Sequence, residues 1–549
     1  MGKSIIISPT RLGSSNNNTS GHMNNTRTTA NAELKPRLAA RDHHPAKCHH
    51  NNNNENRVEN DGICQALPEE SKTTHCPLFL DHCDLQPCAS SVPYVATWNY
   101  DYFSKRNIPY SRPVPFLGSM APQLFGRKSN ADVVWELYKK YKGHRLSGFF
   151  QFNKPITFIN DPELIKMIAV KDFDHFVDHE TLVPSEVDPL FGGNLFFLKG
   201  QRWRDMRNAL TPTFTSSKMR SMFILLNQVG QQMAEYLQDL HKTHGKDVHT
   251  MEMKDFFTRF ASDVIATAAF GIQVNSMKDP TNEFYKAGKQ LANFEGLQKL
   301  IFLGYLFCSK LMTNPLFGKR AKRLLQKLDL TDEDIVAQAM VFFLAGFDTA
   351  STLLCYTAHL LAVNEDSQVQ LQSEIDDMLR ETEENISYEA IQAMKYLDMV
   401  ISESLRIFPP VDNVDRVCVK PYSIPAKGNQ PGTTFQLDDI ALIPILGLHR
   451  DPEFFPEPDR FDPERFSEEN KSSIKPFTYM PFGIGQRSCI GNRFALMEAK
   501  VALVYLLSKF SLRVVDKTAV KIEFSANNLT PTPKGGFWPS ELKMAALFD

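Results

Sequence analysis

The sequence predicts a mainly α-helical protein with small β-sheets, one large helical domain carrying a small β-rich region. Three observations predict this. Apolar residues recur three and four apart through most of the chain after residue 120, the period of an amphipathic helix. The longest periodic run, LTDEDIVAQAMVFFLAGFDTASTLLCYTAHLLAVNED (330–366), has the length of a central core helix. Strand-like alternation is confined to short stretches, clearest in FFQFNKPITFIND (149–161), which reads as a hairpin.

The elements follow in chain order. Residues 1–92 are polar and repetitive, as in SSNNNTSGHMNNTRTTAN and HHPAKCHHNNNNENRVEN. Such a segment cannot bury enough apolar surface to offset its ordering entropy, so disorder is expected, with no anchor-like apolar run. A proline-spaced hinge follows at 93–120, with Pro109, Pro113 and Pro115 stiffening the chain. The remainder, 121–549, reads as one catalytic domain without internal repeat.

Within it, ADVVWELYKKYKG (131–143) is an amphipathic helix, and ASDVIATAAFGIQV (261–274), apolar nearly all round, a buried one. In the run 330–366, Thr331 and Asp334 form a capping box. A membrane span there is disfavoured by Gln338, Asp348 and His359, because polar and ionisable groups at mid-bilayer are costly. GLQKLIFLGYLF (296–307) reads either as a bilayer-surface contact or as a buried helix and loop.

The balance of 61 basic and 63 acidic residues excludes the charge footprint of a nucleic-acid binder. Of nine cysteines, five precede residue 90, leaving Cys308, Cys355, Cys418 and Cys489 for the long remainder, the pattern of a reduced compartment rather than of a disulfide framework.

Four clusters carry chemistry. In PFGIGQRSCIGNRFALMEAK (481–500), Cys489 lies among glycines just before a helix. Gly483 and Gly485 permit turns, Gly491 leaves space, and the helix N-terminus favours a negative sulfur, so a lowered thiol pKa is expected, beside room for a planar ligand. Arg487 stands ready to pair with an acidic substituent. In AGFDT (345–349), Gly346 removes a side chain from the long helix next to Asp348 and Thr349, an acid and a hydroxyl; ordinary helix packing explains such a glycine equally well. Trp203 and Arg207 share a helical face in GQRWRDMRNAL (200–210), a site for a carboxylate or a stacked surface pair. Glu403 and Arg406 lie three apart in ISESLRIFPPV (401–411), and Arg465 in FPEPDRFDPERF (455–466) can share the glutamate.

FGIGQRSCIG (482–491) resembles the haem-binding signature of the cytochromes P-450, Phe-x-x-Gly-x-Arg-x-Cys-x-Gly, at every fixed position. AGFDT, ESLR, PERF and WRDMR fall in that family's order from about residue 97 to the end, and FFLAGFDTAST and TPKGGFW resemble the insect microsomal enzymes of family 9. The resemblance implies the cytochrome P-450 fold and a haem whose iron takes Cys489 as axial thiolate and metal ligand. Phe482, Gly483 and Gly491 would shape the loop around it. Trp203, Arg207, Arg416 and Arg487 would hold the haem propionates. Asp348 and Thr349 would deliver protons to O2, with Ala345 and Gly346 leaving room for it. Glu403, Arg406 and Arg465 would lock the core behind the haem.

The implied function is a monooxygenase inserting one oxygen atom from O2 into small lipophilic substrates. Its electrons come from NADPH through a cytochrome P-450 reductase docked near Lys199, Arg202 and Arg204, at the cytoplasmic face of the endoplasmic reticulum membrane. The pocket segments 179–194, 342–349, 409–415 and 535–539 are rich in apolar side chains. The sequence departs from the family in three places: residues 1–92 occupy the place of the membrane anchor, the chain is shortened between about 310 and 331, and Ala350 replaces a frequent second hydroxyl, with Ser351 as its substitute. The shortening supports an alternative reading, a haem-binding but impaired or unfolded product of an incomplete gene model. A haem-thiolate isomerase needing no reductase is disfavoured by Asp348 and Thr349.

Overall fold

The first long helix starts where the sequence supplies its cap. Ser129 accepts the Asp132 N–H and Asp132 accepts the Ser129 N–H, opening α1 (Asn130–Lys140), whose Val133, Val134, Leu137 and Tyr138 are buried. A computed structural model of the chain describes residues 97, 99–181, 188–244, 248–292, 333–519, 521–526, 530–537 and 541–544. All of these lie in the second of two compact units, Cys88–Asp549. The expectations for residues 1–92, for 296–307, for the shortened stretch 310–331 and for the Thr331 cap lie outside the described residues.

The predicted hairpin is present. β1 (Leu146–Gln151) and β2 (Lys154–Ile159) pair antiparallel across Phe152 and Asn153. Then follow α2 (Gly200–Leu210), α3 (Ser216–His244) and, after β3 (Val248–Thr250), α4 (Met253–Phe270). Helix α4 stops earlier than its apolar pattern suggested. Gly271, at φ 66°, caps it in the left-handed conformation; the helix is fully buried only through Ala266, with Ala268 and Phe270 packed at the core's edge and Ile272 exposed.

Then come α5 (Glu283–Ala292), α6 (Glu333–Val363), α7 (Glu365–Glu381) and α8 (Lys395–Ile407). Strands β4 (Val414–Val417), β5 (Tyr422–Ile424), β6 (Thr433–Phe435) and β7 (Ile440–Ile443) precede α9 (Asn492–Leu507), which is followed by β8 (Phe510–Arg513) and β9 (Glu541–Met544). The largest sheet has the order β1-β2-β7-β4, with β2 and β7 parallel; β3-β9-β8 and β5-β6 are small and antiparallel.

Helix α6 is long and apolar enough, by length and composition, to cross a membrane. In the fold it is instead the central helix. Leu354, Tyr356 and Leu361 pack in one core with Phe257 and Phe260 of α4, Val400 of α8, and Val501 and Leu503 of α9. Each such side chain contributes roughly 1.5–3 kcal/mol by leaving water. Its polar residues have local roles. Gln338 accepts the Leu195 N–H at 2.7 Å and donates to the Gly193 carbonyl at 2.9 Å, tying α6 to the loop before α2. Burial lowers His359 to about 4, so it is neutral in the core.

Candidate active site

The loop before α9 is built by two glycines. Gly483 and Gly485 have φ of 72° and 71°, a region open to glycine at little cost. At Gly485 a Cβ would also lie 2.0 Å from the Ala169 carbonyl oxygen, so no other residue fits. The Cys489 N–H donates to the Phe482 carbonyl at 2.8 Å and closes the loop. Gly491 is the N-cap of α9, and its nearest neighbour to an added Cβ is the Phe214 ring, 3.8 Å away.

Among the described residues Cys355 and Cys418 are buried thiols and Cys489 is exposed. The expected lowering of its pKa is not what the protein alone produces. Although the residue keeps access to solvent, the protein packed around the loop strips water from the thiol and pushes it up, outweighing the Gly491 N–H and the Arg207 guanidinium, which pull it down. A bound metal cation would reverse that balance, since a coordinating thiol loses its proton outright.

The cations group around this loop in two ways. Arg416, on β4, is 1% exposed; Nη1 donates to the Asp415 carbonyl at 2.6 Å and Nη2 to the Ile484 carbonyl at 3.3 Å, while Nε has no partner among the described residues. Burial lowers it to about 10. Arg207, on α2, is half-buried close enough to Cys489 for their charges to interact, and its guanidinium has no hydrogen bond or ion pair among the described residues.

Arg487 departs from expectation. Its donors go to the carbonyls of Val177 (2.8 Å), Leu195 (3.3 Å), Phe196 (3.1 Å) and Leu198 (2.7 Å), with Asp178 at 3.5 Å and the Trp203 ring 4.0 Å beneath. A guanidinium so enclosed braces the Cys489 loop against the 177–198 segment, and no donor is left for a direct bond to an acid substituent. Sequence reasoning missed that cage because carbonyl groups carry no sequence signal. It also missed His179, which stacks on Phe196 and bonds Asp415 at 2.9 Å beside the same cations.

On α6, Thr349 bonds the Ala345 carbonyl, and Ala345 is exposed. One turn earlier Phe342 meets the Phe214 ring at 6.0 Å and packs against the same apolar cluster, around Trp203 and Leu195, as Ile490 of the Cys489 loop, which sets this face of α6 toward that loop. Gly346 points elsewhere. A Cβ there would lie 2.3 Å from Ile265 Cδ1, so this glycine serves the packing of α6 on α4, and the room on the open face belongs to Ala345. Asp348 is also turned to α4. Lys254 Nζ meets its Oδ1 at 2.8 Å, and Thr530 Oγ1 donates to its Oδ2 at 2.8 Å. Ser351, expected to stand in for a second hydroxyl, is buried and bonds Lys254 at 2.9 Å instead.

Behind the loop, Arg406 and Glu403 are both 0% exposed and joined by two bonds of 2.7 Å. Arg465 approaches Glu403 at 3.4 Å, and the Asp462 N–H donates to it at 3.1 Å. His449, unmarked in the sequence, completes the lock. Met480 N–H donates to its Nε2 at 2.9 Å, so Nδ1 carries the proton and donates to the Arg406 carbonyl at 3.2 Å. Burial, then the Arg406 charge, lowers this histidine to about 3. Of the basic residues expected to greet a reductase, Arg204 is paired with Asp174 at 2.6 Å.

The donor set fits a haem: one exposed thiol, a glycine-cleared loop, and two cations with unused donors. A model of the family Cytochrome P450 matches residues 108–322 and 308–539. Cytochrome P450 9e2 of Blattella germanica is 45% identical over 504 residues, covering 81% of this chain and 94% of its own. Probable cytochrome P450 9f2 of Drosophila melanogaster is 39% identical over 495, with 81% and 95% covered, and cytochrome P450 9b2 of the same organism is 37% identical over 479, with the same shares. The chain belongs to the cytochrome P450 family, the haem-thiolate monooxygenases, and resembles the insect enzymes of its family 9.

Proposed function

We propose that this enzyme inserts one oxygen atom of O2 into small lipophilic molecules, drawing two electrons from NADPH through a cytochrome P450 reductase at the cytoplasmic face of the endoplasmic reticulum. The observation that carries the site assignment is the solvent-accessible Cys489 in a loop that only glycine at position 485 permits. When bound, the haem with its thiolate supplies the chemistry that splits dioxygen, one atom entering the substrate and the other leaving as water with two protons.

The chain's own residues hold, shield and supply protons. Cys489 is the iron ligand, with the Gly491 N–H directed at its sulfur. Arg416, through its unpartnered Nε, and Arg207 hold the acid substituents, with Trp203 and Arg487 supporting the same wall. Ala345 keeps the α6 face low. Thr349 presents its Oγ1 proton, held on the Ala345 carbonyl at rest, and Asp348 resupplies it. Phe214, Phe342 and Ile490 exclude water and select apolar ligands. Glu403, Arg406, Arg465 and His449 keep the loop rigid.

The test is turnover with NADPH, reductase and a panel of lipophilic compounds under isotopically labelled O2. One labelled atom per product supports the reading; label only in water, or turnover without reductase, overturns it.

A second reading, an impaired haem protein, draws on the comparisons. The 504 positions aligned to the Blattella enzyme use 81% of this chain, about 445 residues, so about 60 positions face nothing here. The two matched stretches also overlap at 308–322. That reading is supported if haem binds with its thiolate but labelled O2 reaches no product.

A further inference from the structure

Two acids on α4 hold α5, and they respond differently to protons. Asp255 pairs with Arg259 and Lys289 and accepts the Tyr285 hydroxyl at 2.6 Å. Burial raises its carboxyl, but the Tyr285 and Lys289 bonds and the Arg259 and Lys289 charges outweigh it and hold it below the ordinary carboxylate range. Two turns on, Asp263 is 1% exposed and accepts both donors of Ser276, the N–H at 2.7 Å and the hydroxyl at 2.5 Å. Ser276 is itself buried, and its Oγ accepts from Asn282 Nδ2 at 2.9 Å. Asn282 Oδ1 in turn accepts the Tyr285 N–H at 2.9 Å and caps α5. Three links thus run from the core of α4 to the first turn of α5.

Burial pushes the Asp263 carboxyl up to about 7, against the two Ser276 bonds, which pull it down. No charge among the described residues offsets that burial. On α4, Arg259 is taken by Asp255, and on α6, Asp348 is taken by Lys254. Lys278 and Asp279 of the loop, Glu283 and Lys286 of α5, and Glu235 and Asp239 of α3 are exposed. The turn that the links reach backs the ligand side of α6. Its Phe284 meets the Phe343 ring at 5.0 Å and the Phe270 ring at 5.7 Å, and a Cβ at Gly288 would lie 2.5 Å from the Phe347 ring. Phe343 and Phe347 stand two residues either side of Ala345, so α5 supports the stretch of α6 that carries the open face.

We propose that the Asp263–Ser276–Asn282 link is a pH-sensitive switch: protonated, it seats the first turn of α5 on α6, and ionised, it lets residues 272–284 lift and loosens ligands held at the Ala345 face. The ligand half rests on the reading of that face as the substrate site. The sign follows from burial. As an acid, Asp263 keeps one oxygen to accept the Ser276 N–H, and its new O–H donates to Ser276 Oγ. Closed, the carboxyl titrates at about 7; open to water, it returns to the ordinary carboxylate value of about 4. Opening therefore releases a proton between those values, and its equilibrium constant rises about tenfold per pH unit from about pH 4 to about pH 7, then levels off. The Asp255 clip stays ionised over that range, so α5 remains held at Tyr285 and Lys289 rather than detaching.

The test uses the haem-loaded full chain, wild type, Asp263→Asn and Ser276→Ala. The readout apart from activity is hydrogen exchange of peptides spanning 275–286, taken as protection relative to the intrinsic rate at each pH, from about pH 5 to about pH 8.5. Wild-type protection falls about tenfold per pH unit up to about pH 7 and is flat above it. Asp263→Asn keeps an acceptor and a donor but carries no charge, so it is protected throughout with no step. Ser276→Ala removes one of the two donors to the carboxylate and moves the plateau to higher pH. The link to the site is read with methyl and benzyl isocyanide, iron ligands that do not titrate and differ in bulk. The ratio of benzyl to methyl dissociation rates rises several-fold across the same range in wild type and stays constant in Asp263→Asn.

Wild-type protection that does not change with pH, or a step that survives in Asp263→Asn, overturns the switch. If the step is present and Asp263→Asn removes it while the isocyanide ratio stays flat, the switch stands and its hold on the ligand falls. If neither isocyanide shifts the haem band of wild type, the reading of the Ala345 face fails, and the exchange data alone decide whether Asp263 is a switch.

Discussion

Single residues decide whether the thiolate loop forms. Gly483 and Gly485 share a left-handed backbone, but only Gly485 is also pressed against the Ala169 carbonyl; a Cβ at Gly483 would meet only ordinary contact, Ser488 Cα at 3.8 Å. Gly483→Ala should cost about 1–2 kcal/mol, the left-handed penalty alone. Gly485→Ala should cost several-fold more and abolish haem retention through purification, read as the ratio of haem to protein absorbance. Glu498 makes a different prediction. Both its carboxylate oxygens are buried without a hydrogen-bond partner among the described residues, and burial pushes it well above the ordinary carboxylate range. The folded state therefore binds a proton that the unfolded state releases near the usual carboxylate pKa, so stability falls as pH rises from there toward neutrality. Glu498→Met should stabilise the protein by about 1–4 kcal/mol at pH about 7.5, with the gain vanishing near pH about 4, in thermal melts at the two pH values. Glu498 was invisible in the sequence because an acid in a helical pattern reads as solvated until its neighbours are known.

At the scale of elements, α8 and the 449–480 segment form one unit through Arg406. Its guanidinium bonds Glu403 and donates to the carbonyls of His449 (2.9 Å) and Pro458 (2.8 Å), while His449 bridges back to Met480 just before the cysteine loop. Arg406→Met leaves a buried carboxylate unpaired and should lose about 3–5 kcal/mol in denaturant unfolding; pairing it with Glu403→Leu should recover most of that loss. The spacing of Glu403 and Arg406 was legible in the sequence as an i, i+3 pair, but its weight was not. The same pair on a surface contributes little, and its burial depends on distant chain segments, among them Phe455, whose ring lies 5.3 Å from the Arg406 guanidinium. Helix α6 divides in the same way. Its length and the Ala345–Thr349 face were legible, but the choice between the two readings of Gly346 was not, because only the approach of Ile265 from α4 shows which side of the helix the glycine serves.

The whole molecule follows from a few such constraints. The helical class, the hairpin, the helix carrying Trp203 and Arg207, and the cysteine loop were each readable from local pattern, and those local signals agree with the tertiary fold. What local pattern did not carry was partnership at long range: Lys254 with Asp348, Arg487 with four carbonyls, and His449 with Met480. Each joins residues tens or hundreds of positions apart. Above all of these stands the proposed ligation of the haem iron by Cys489 as a thiolate. The direct measurement is the absorption spectrum of the reduced, carbon-monoxide-bound protein, for wild type and for Cys489→Ser. Ligation by Cys489 gives the long-wavelength band of a thiolate in wild type and its loss in the serine variant; a serine variant that keeps that band would rule Cys489 out as the ligand.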